Sequence, residues 1–235
     1  MSINKLKSWI KRRDSWLSRG IYSTVVSIRY LRLPAPGILF KPLLWLHLFA
    51  TRTVKNLLVF FYWKPLFLQY LDKKPKHLIL EKTMPYILGK PKIILGEDCR
   101  INGDIVISAK TTNEYIPELS IGSRVGIQYQ SQFYIGTNII IGDDCRIAEG
   151  CILRGYSGHP LDPIRRKKGE AELATERGGI ELEDNVWLGS GVKVNANVTI
   201  GKNSVIASGS IVTKDIPPGV LAGGIPAKPI RLLNQ

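Results

Sequence analysis

Two hydrophobic patterns divide this chain. From Leu182 onward aliphatic residues recur every six positions, at Leu182, Leu188, Val194, Ile200, Ile206 and Val212. A short side chain follows four residues after each of the first five, at Val186, Val192, Val198, Ser204 and Ser210. The same spacing runs upstream in three shifted sets: Leu95/Ile101/Ile107, Ile121/Ile127/Phe133 and Ile141/Ile147/Leu153. Cys99, Val125, Ser131, Cys145 and Cys151 occupy the small-residue place there. A period of six does not fit 3.6 residues per helical turn; it fits a short strand followed by a tight corner. Three such units close one triangular coil, the aliphatics of successive coils stack inside, and coils about 4.8 Å apart satisfy each other's backbone. The spacing therefore predicts a mainly β protein, a parallel β-helix of five or more coils. Extra residues enter only after 107, 133 and 153, so every insertion leaves from one corner. The longest, residues 154–180, projects from that edge, and a loop of that length in a compact domain is usually functional.

The first third of the chain follows a helical rhythm instead. Within residues 5–17, Leu6, Trp9, Ile10, Trp16 and Leu17 share one helical face, with Lys5, Lys7, Lys11, Arg12 and Arg13 around the rest. A second helix is expected to open at Pro42, run to Trp63 and end at Lys64-Pro65. His47, Thr51, Arg52, Lys55 and Asn56 form its narrow polar stripe. These patterns suggest a helical, amphipathic region over 1–77 and a β-helix domain over 78–231.

Charge sharpens the division. The net charge is +14, from 33 Lys and Arg against 19 Asp and Glu. Residues 1–92 hold 18 basic and 3 acidic side chains, and 93–235 hold 15 and 16, so the excess is +15 in the first part and −1 in the second. Four of five Trp and five of six Phe also precede residue 93. Nucleic-acid binding would explain the charge but not this density of Leu and Trp. A spanning helix over 42–63 would centre Arg52 and Lys55, at about 2.5–3.5 kcal/mol each. An interfacial helix accommodates the stripe, the tryptophans and the cations together, and anionic lipids add about 1 kcal/mol per nearby Lys or Arg. Packing against the β-helix or across subunits is the third reading. The interfacial one is preferred, on the cytoplasmic face of the inner membrane. No stretch reads as a secretory signal.

Three Cys give no disulfide framework, and their lattice positions suit buried structural thiols. The three His, at 47, 77 and 159, have no ligand spacing with a Cys, so no metal site is expected. His47 and His77 read as structural or interfacial.

The long loop reads Gly155-Tyr156-Ser157-Gly158-His159-Pro160-Leu161-Asp162, followed by Arg165-Arg166-Lys167-Lys168-Gly169-Glu170. Asp184-Asn185-Val186-Trp187-Leu188-Gly189 lies beyond it, then Gly209-Ser210-Ile211-Val212-Thr213-Lys214-Asp215-Ile216-Pro217-Pro218 and Gly224-Ile225-Pro226-Ala227-Lys228-Pro229-Ile230-Arg231. Together these words resemble the maltose and galactoside O-acetyltransferase group, with related polysaccharide O-acetyltransferases, of the hexapeptide-repeat superfamily. The resemblance covers roughly residues 78–231 and implies a left-handed β-helix. It implies His159 as general base and Glu170, eleven residues on, as its supporting carboxylate. Histidine is also the side chain best matched to removing a hydroxyl proton near neutral pH. The resemblance further implies acetyl-CoA as co-substrate, held by Trp187, Gly189, Ser190, Ser208, Lys214, Lys228 and Arg231. A main-chain N–H near Gly189-Ser190 would face the oxyanion. Gln130, Tyr156 and Asp162 are the candidate acceptor contacts; Gln130 stands nearest to the group's acceptor asparagine. A homotrimer with sites between subunits is implied as well.

The expected function is transfer of acetyl from acetyl-CoA to a sugar hydroxyl, on a membrane-lipid-linked glycan or polysaccharide precursor. A soluble nucleotide-sugar acceptor and a non-catalytic scaffold are the alternatives.

Overall fold

A computed structural model describes residues 2–32, 34–111 and 115–233. The six-residue lattice forms three parallel sheets. Sheet A stacks Lys92–Leu95, Glu118–Ile121, Asn138–Ile141, Ile180–Leu182 and Val198–Ile200. Sheet B begins with Leu78–Glu81 and Cys99–Asn102 and runs through Gly126–Ile127, Arg146–Ile147, Trp187–Leu188 and Val205–Ile206 to Val220–Gly224. Sheet C starts at Tyr86–Leu88 and Val106–Ala109, continues through Gln132–Ile135, Ile152–Arg154 and Lys193–Asn195, and ends at Ile211–Val212.

The expected triplets are the coils. Leu95, Ile121, Ile141, Leu182 and Ile200 lie in register on sheet A. Ile101, Ile127, Ile147, Leu188 and Ile206 do so on sheet B. Ile107, Phe133, Leu153, Val194 and Val212 complete sheet C. All fifteen side chains are buried. Partial coils extend both ends, with Leu80 and Ile87 below and Ala222 above. A final antiparallel strand, Ala227–Leu232, folds back on Val220–Gly224.

Most corners take a left-handed residue, one per coil between sheets A and B and one in each of the four later coils between B and C. Between sheets A and B these are Asp98, Arg124, Asp144, Asn185 and Asn203, with φ of 56–61°. Asn and Asp tolerate this region better than other non-glycine residues. Between sheets B and C they are Gln130, Gly150, Gly191 and Gly209. The cysteines point inward at corners: the Cys99, Cys145 and Cys151 thiols donate to the Gly122, Glu183 and Gly189 carbonyls at 3.1, 3.1 and 3.2 Å. Burial pushes all three thiols up, Cys145 and Cys151 to about 11.

The helical part departs from expectation in its breaks. It forms α1 (Ile3–Arg12), α2 (Trp16–Arg29) and α3 (Gly37–Leu58). Residues 5–17 are not one helix. Arg13 turns left-handed at φ 56°, and Ser15 caps α2 by accepting from the Ser18 N–H. α3 opens before Pro42 and carries that proline inside its first turns, where few intrahelical bonds are lost. At Lys64-Pro65 the chain does not stop. A π-turn, Val59–Trp63, passes into a short α4 (Lys64–Phe67).

The compact units divide between Thr51 and Arg52, not between 77 and 78. Phe67 and Leu71 are buried in the prism core, and the Lys64 ammonium donates to the Leu78 carbonyl at 2.7 Å, so residues 52–77 go with the β-helix. Among the described residues, no helix is long and apolar enough to cross a membrane.

Candidate active site

The 154–180 loop leaves the corner between sheets C and A, as do the shorter insertions at 110–117 and 136–137. Its ends close like a tight turn. The Gly155 N–H donates to Tyr134 O at 2.7 Å and the Gly178 N–H to Gly155 O at 2.8 Å. A Cβ on Gly155 would stand 2.7 Å from both the Gly136 nitrogen and the Gly178 oxygen, so only glycine fits there. Tyr156 then turns down the edge by two coils, its hydroxyl 2.7 Å from the Ser108 hydroxyl and its ring edge-on to Tyr134 at 5.7 Å. Burial raises the Tyr156 pKa against the opposing hydrogen bond. This expected acceptor contact is an anchor, 9% exposed, because its ring fills the junction between loop and sheet.

Beyond it the Ser-Gly-His-Pro word forms a tight bend. Gly158 takes φ 88°, and the Ser157 hydroxyl donates to the His159 carbonyl at 2.7 Å. The His159 residue is exposed, and its imidazole makes no hydrogen bond among the described residues. Asp162, also expected at the acceptor, caps the helix Pro163–Lys167, which becomes α5. Its carboxylate accepts from the Ile164 and Arg165 N–H groups at 2.7 and 3.0 Å, which lowers its pKa. The cap makes it a local structural group.

Glu170 does not reach His159. Its carboxylate accepts from the Arg165 guanidinium at 2.8 Å, because the turn after α5 folds it back onto that helix. The carboxylate beside the histidine word is Glu172, which the sequence reading missed. It is buried and accepts the Gly158 N–H at 2.6 Å. Glu176 ties the loop's other strand, accepting from Leu161 and Leu173 N–H at 2.9 and 2.8 Å.

Of the expected donor contacts, Gly189, Ser190 and Ser208 gather on another edge, the corner between sheets B and C, whereas Lys214 lies at the corner between C and A from which the histidine loop leaves. Gly189 and Ser208 stack so closely that a Cβ on Gly189 would stand 2.7 Å from the Ser208 nitrogen. The Gly189 N–H is used, donating to Ile206 O at 2.9 Å. Of the two expected oxyanion donors, the Ser190 N–H is the one without a hydrogen bond among the described residues. The Ser190 hydroxyl donates to Glu149 at 2.7 Å and lowers that carboxylate's pKa. Gln130 occupies the same corner two coils below. Trp187 stands 53% exposed on the outside of sheet B. Lys214 follows sheet C, and Lys228 and Arg231 lie on the last strand opposite Gly223 and Leu221; all three are exposed.

The histidine loop and the glycine-serine ladder thus lie on opposite edges of sheet C. That sheet is about four residues, or roughly 13 Å, wide. Among the described residues, no cluster of His, Cys, Asp or Glu could hold a metal.

A three-sheet parallel β-helix of six-residue units, with a histidine loop at one edge and a glycine-serine ladder at another, defines the hexapeptide class. The bacterial transferase hexapeptide (six repeats) family matches residues 179–214. A Staphylococcus aureus protein carrying an acetyltransferase name is 35% identical over 164 residues, 66% of this chain and 76% of that protein. The chain belongs to the hexapeptide-repeat, left-handed β-helix acetyltransferase family. Galactoside O-acetyltransferase of Escherichia coli is 42% identical over 125 residues, 47% of this chain and 59% of the enzyme. The chain thus spans less than two thirds of that relative's length. An N-acyltransferase of Bacillus cereus, AntD, solved with a dTDP-linked amino sugar and coenzyme A, shares the fold with a TM-score of 0.56. It is 22% identical, and the match covers 68% of this chain and 83% of that one.

Proposed function

We propose that this protein transfers acetyl from acetyl-CoA to a sugar hydroxyl of a membrane-lipid-linked glycan or polysaccharide precursor. One observation carries the reading: the Ser-Gly-His-Pro bend presents an exposed imidazole on a braced backbone, in a chain related to galactoside O-acetyltransferase.

In this mechanism the neutral His159 imidazole takes the acceptor hydroxyl's proton as that oxygen attacks the thioester carbonyl. The carbonyl oxygen gains negative charge, and the Ser190 N–H stabilises it. As the carbon–sulfur bond breaks, the imidazolium returns the proton to the departing thiolate. Trp187 and Ser208 would line the donor's channel, and Lys214, Lys228 and Arg231 would pair its phosphates. The separation of the histidine loop from the glycine-serine ladder favours a homotrimer in which one copy's loop edge meets another copy's glycine-serine edge. His159→Ala should lower kcat by about 10²–10⁴-fold. Full activity in that variant, assayed with labelled acetyl-CoA on extracted lipid-linked glycans and mass spectrometry of the product, would overturn the reading.

The membrane-held acceptor is supported by α3, where Ile38, Trp45, Phe49 and Leu57 are 51–85% exposed. The +15 excess over residues 1–92 favours an anionic surface. Failure of the intact protein to sediment with anionic liposomes would return the acceptor to the soluble class.

A further inference from the structure

We infer that Glu172 is the positioning residue for His159, a role that rests on reading His159 as the general base. Three observations converge on it. The Glu172 side chain is 1% exposed, although carboxylates are rarely buried without a task. One of its oxygens accepts the Gly158 N–H at 2.6 Å, one peptide before the histidine, and lies 3.5 Å from the Ser157 hydroxyl. Its other oxygen stands 3.3 Å from the Arg177 guanidinium, itself 14% exposed, without a hydrogen bond to it.

The geometry defines a clamp. Gly158 and Arg177 lie at the two ends of the loop, and Glu172 joins them through one carboxylate. Gly158 sits at φ 88°, a conformation free of side-chain collisions but favoured by nothing around it, since no atom lies within 4 Å of its Cβ direction. A backbone that open keeps a single conformation only if its N–H is held. The Glu172 oxygen holds it, and Ser157 closes the bend on the far side through the His159 carbonyl. Glu172 meets the Gly158 backbone, Ser157 and Arg177 but makes no hydrogen bond to the imidazole, so it sets where the ring stands and takes no part in proton transfer. Glu170, paired with Arg165 on the outside of the loop, is in no position to do this.

The test compares Glu172→Ala, Glu172→Gln, the double variant Glu172→Gln/Arg177→Met and Glu170→Ala in the full chain. The readouts are acetyl transfer from labelled acetyl-CoA to extracted lipid-linked glycans and amide exchange at Gly158. Glu172→Ala should lower kcat by about 100-fold with KM for acetyl-CoA held within about twofold, the cost of a misplaced catalytic group. It should also speed Gly158 exchange by about tenfold or more. The double variant removes the ion pair but keeps an oxygen for the Gly158 N–H, and should retain kcat within about fivefold. Glu170→Ala should change kcat by less than about threefold. The inference is overturned if Gly158 exchange is unchanged in Glu172→Ala, or if the double variant loses as much as Glu172→Ala. A Glu170→Ala loss matching that of Glu172→Ala also overturns it. Because exchange is read without turnover, a catalytic role for His159 can fail separately from the clamp.

Discussion

Ile101, Ile127, Ile147, Leu188 and Ile206 on sheet B are 0–1% exposed, whereas Ile38, Leu39, Leu43, Leu46 and Leu48 on α3 are 56–85% exposed. The same side-chain chemistry is used in opposite ways. On the prism each aliphatic stacks on its counterpart one coil away, so burial is complete within the chain. On α3 the aliphatics lie along a single helix, so the repeat itself supplies no partner for them. The contrast teaches that periodicity predicts burial when the repeat supplies its own partner, and predicts only amphipathicity when it does not.

The comparison breaks most sharply by truncation. Leu188→Ala should destabilise the prism by about 2–5 kcal/mol through the cavity it leaves. Leu46→Ala on α3 should stay within about 0.5 kcal/mol. Thermal unfolding followed by circular dichroism measures both, and equal effects would show that α3 is packed after all. Vesicle binding should invert the order. Leu46→Glu with Phe49→Glu should weaken sedimentation with anionic liposomes by about 100-fold or more, since about 1.5–3 kcal/mol of burial is lost per side chain. Leu188→Ala should leave it unchanged. Charge gives a smaller effect. Lys5→Ala with Lys7→Ala should cost about 1 kcal/mol per cation, or about fivefold each, and the difference should shrink with added salt.

Acid gives the smallest. The Asp144 carboxylate is held low by Arg124, and Glu97 by the His77 and Lys76 N–H groups. A folded pKa below the unfolded one gives stability that is complete above the unfolded value, about 4, and is lost as pH falls through the lower folded value. Near-ultraviolet circular dichroism of the prism should therefore fade below about pH 4. Residues 1–51 contain only Asp14 as an acid, and their helix content should hold.

The prism was legible because its spacing is a packing rule. Leu95 to Val212 named every full coil and placed the insertions between them on one corner, though not the partial coils at either end. The helices were legible as helices, but their ends were not. Arg13 breaks the first by adopting a left-handed conformation that its residue type does not announce, and Pro42 is absorbed where it falls early in α3. In the loop, the Ser-Gly-His-Pro word was legible as a distinct bend. The carboxylate that contacts this bend was not, because Glu170 and Glu172 lie only two positions apart after α5. Asp162 caps α5, and Arg165 in that helix takes the Glu170 carboxylate. No residue pattern states which of two acids two positions apart faces in. Glu149 was missed for a related reason: it matters through the Ser190 hydroxyl of the next coil, a partner 41 residues away.

The contact of Gly178 with Gly155 has a further consequence. The loop's two ends touch, so beyond the Tyr156 anchor the scaffold is held together without what is strung between them. Excising residues 157–177, with Tyr156 kept, and grafting another segment should leave the stacking of coils intact. Such a junction is a splice point. The sequence of the loop can change there, segment by segment, without drawing on the stability of the fold that carries it.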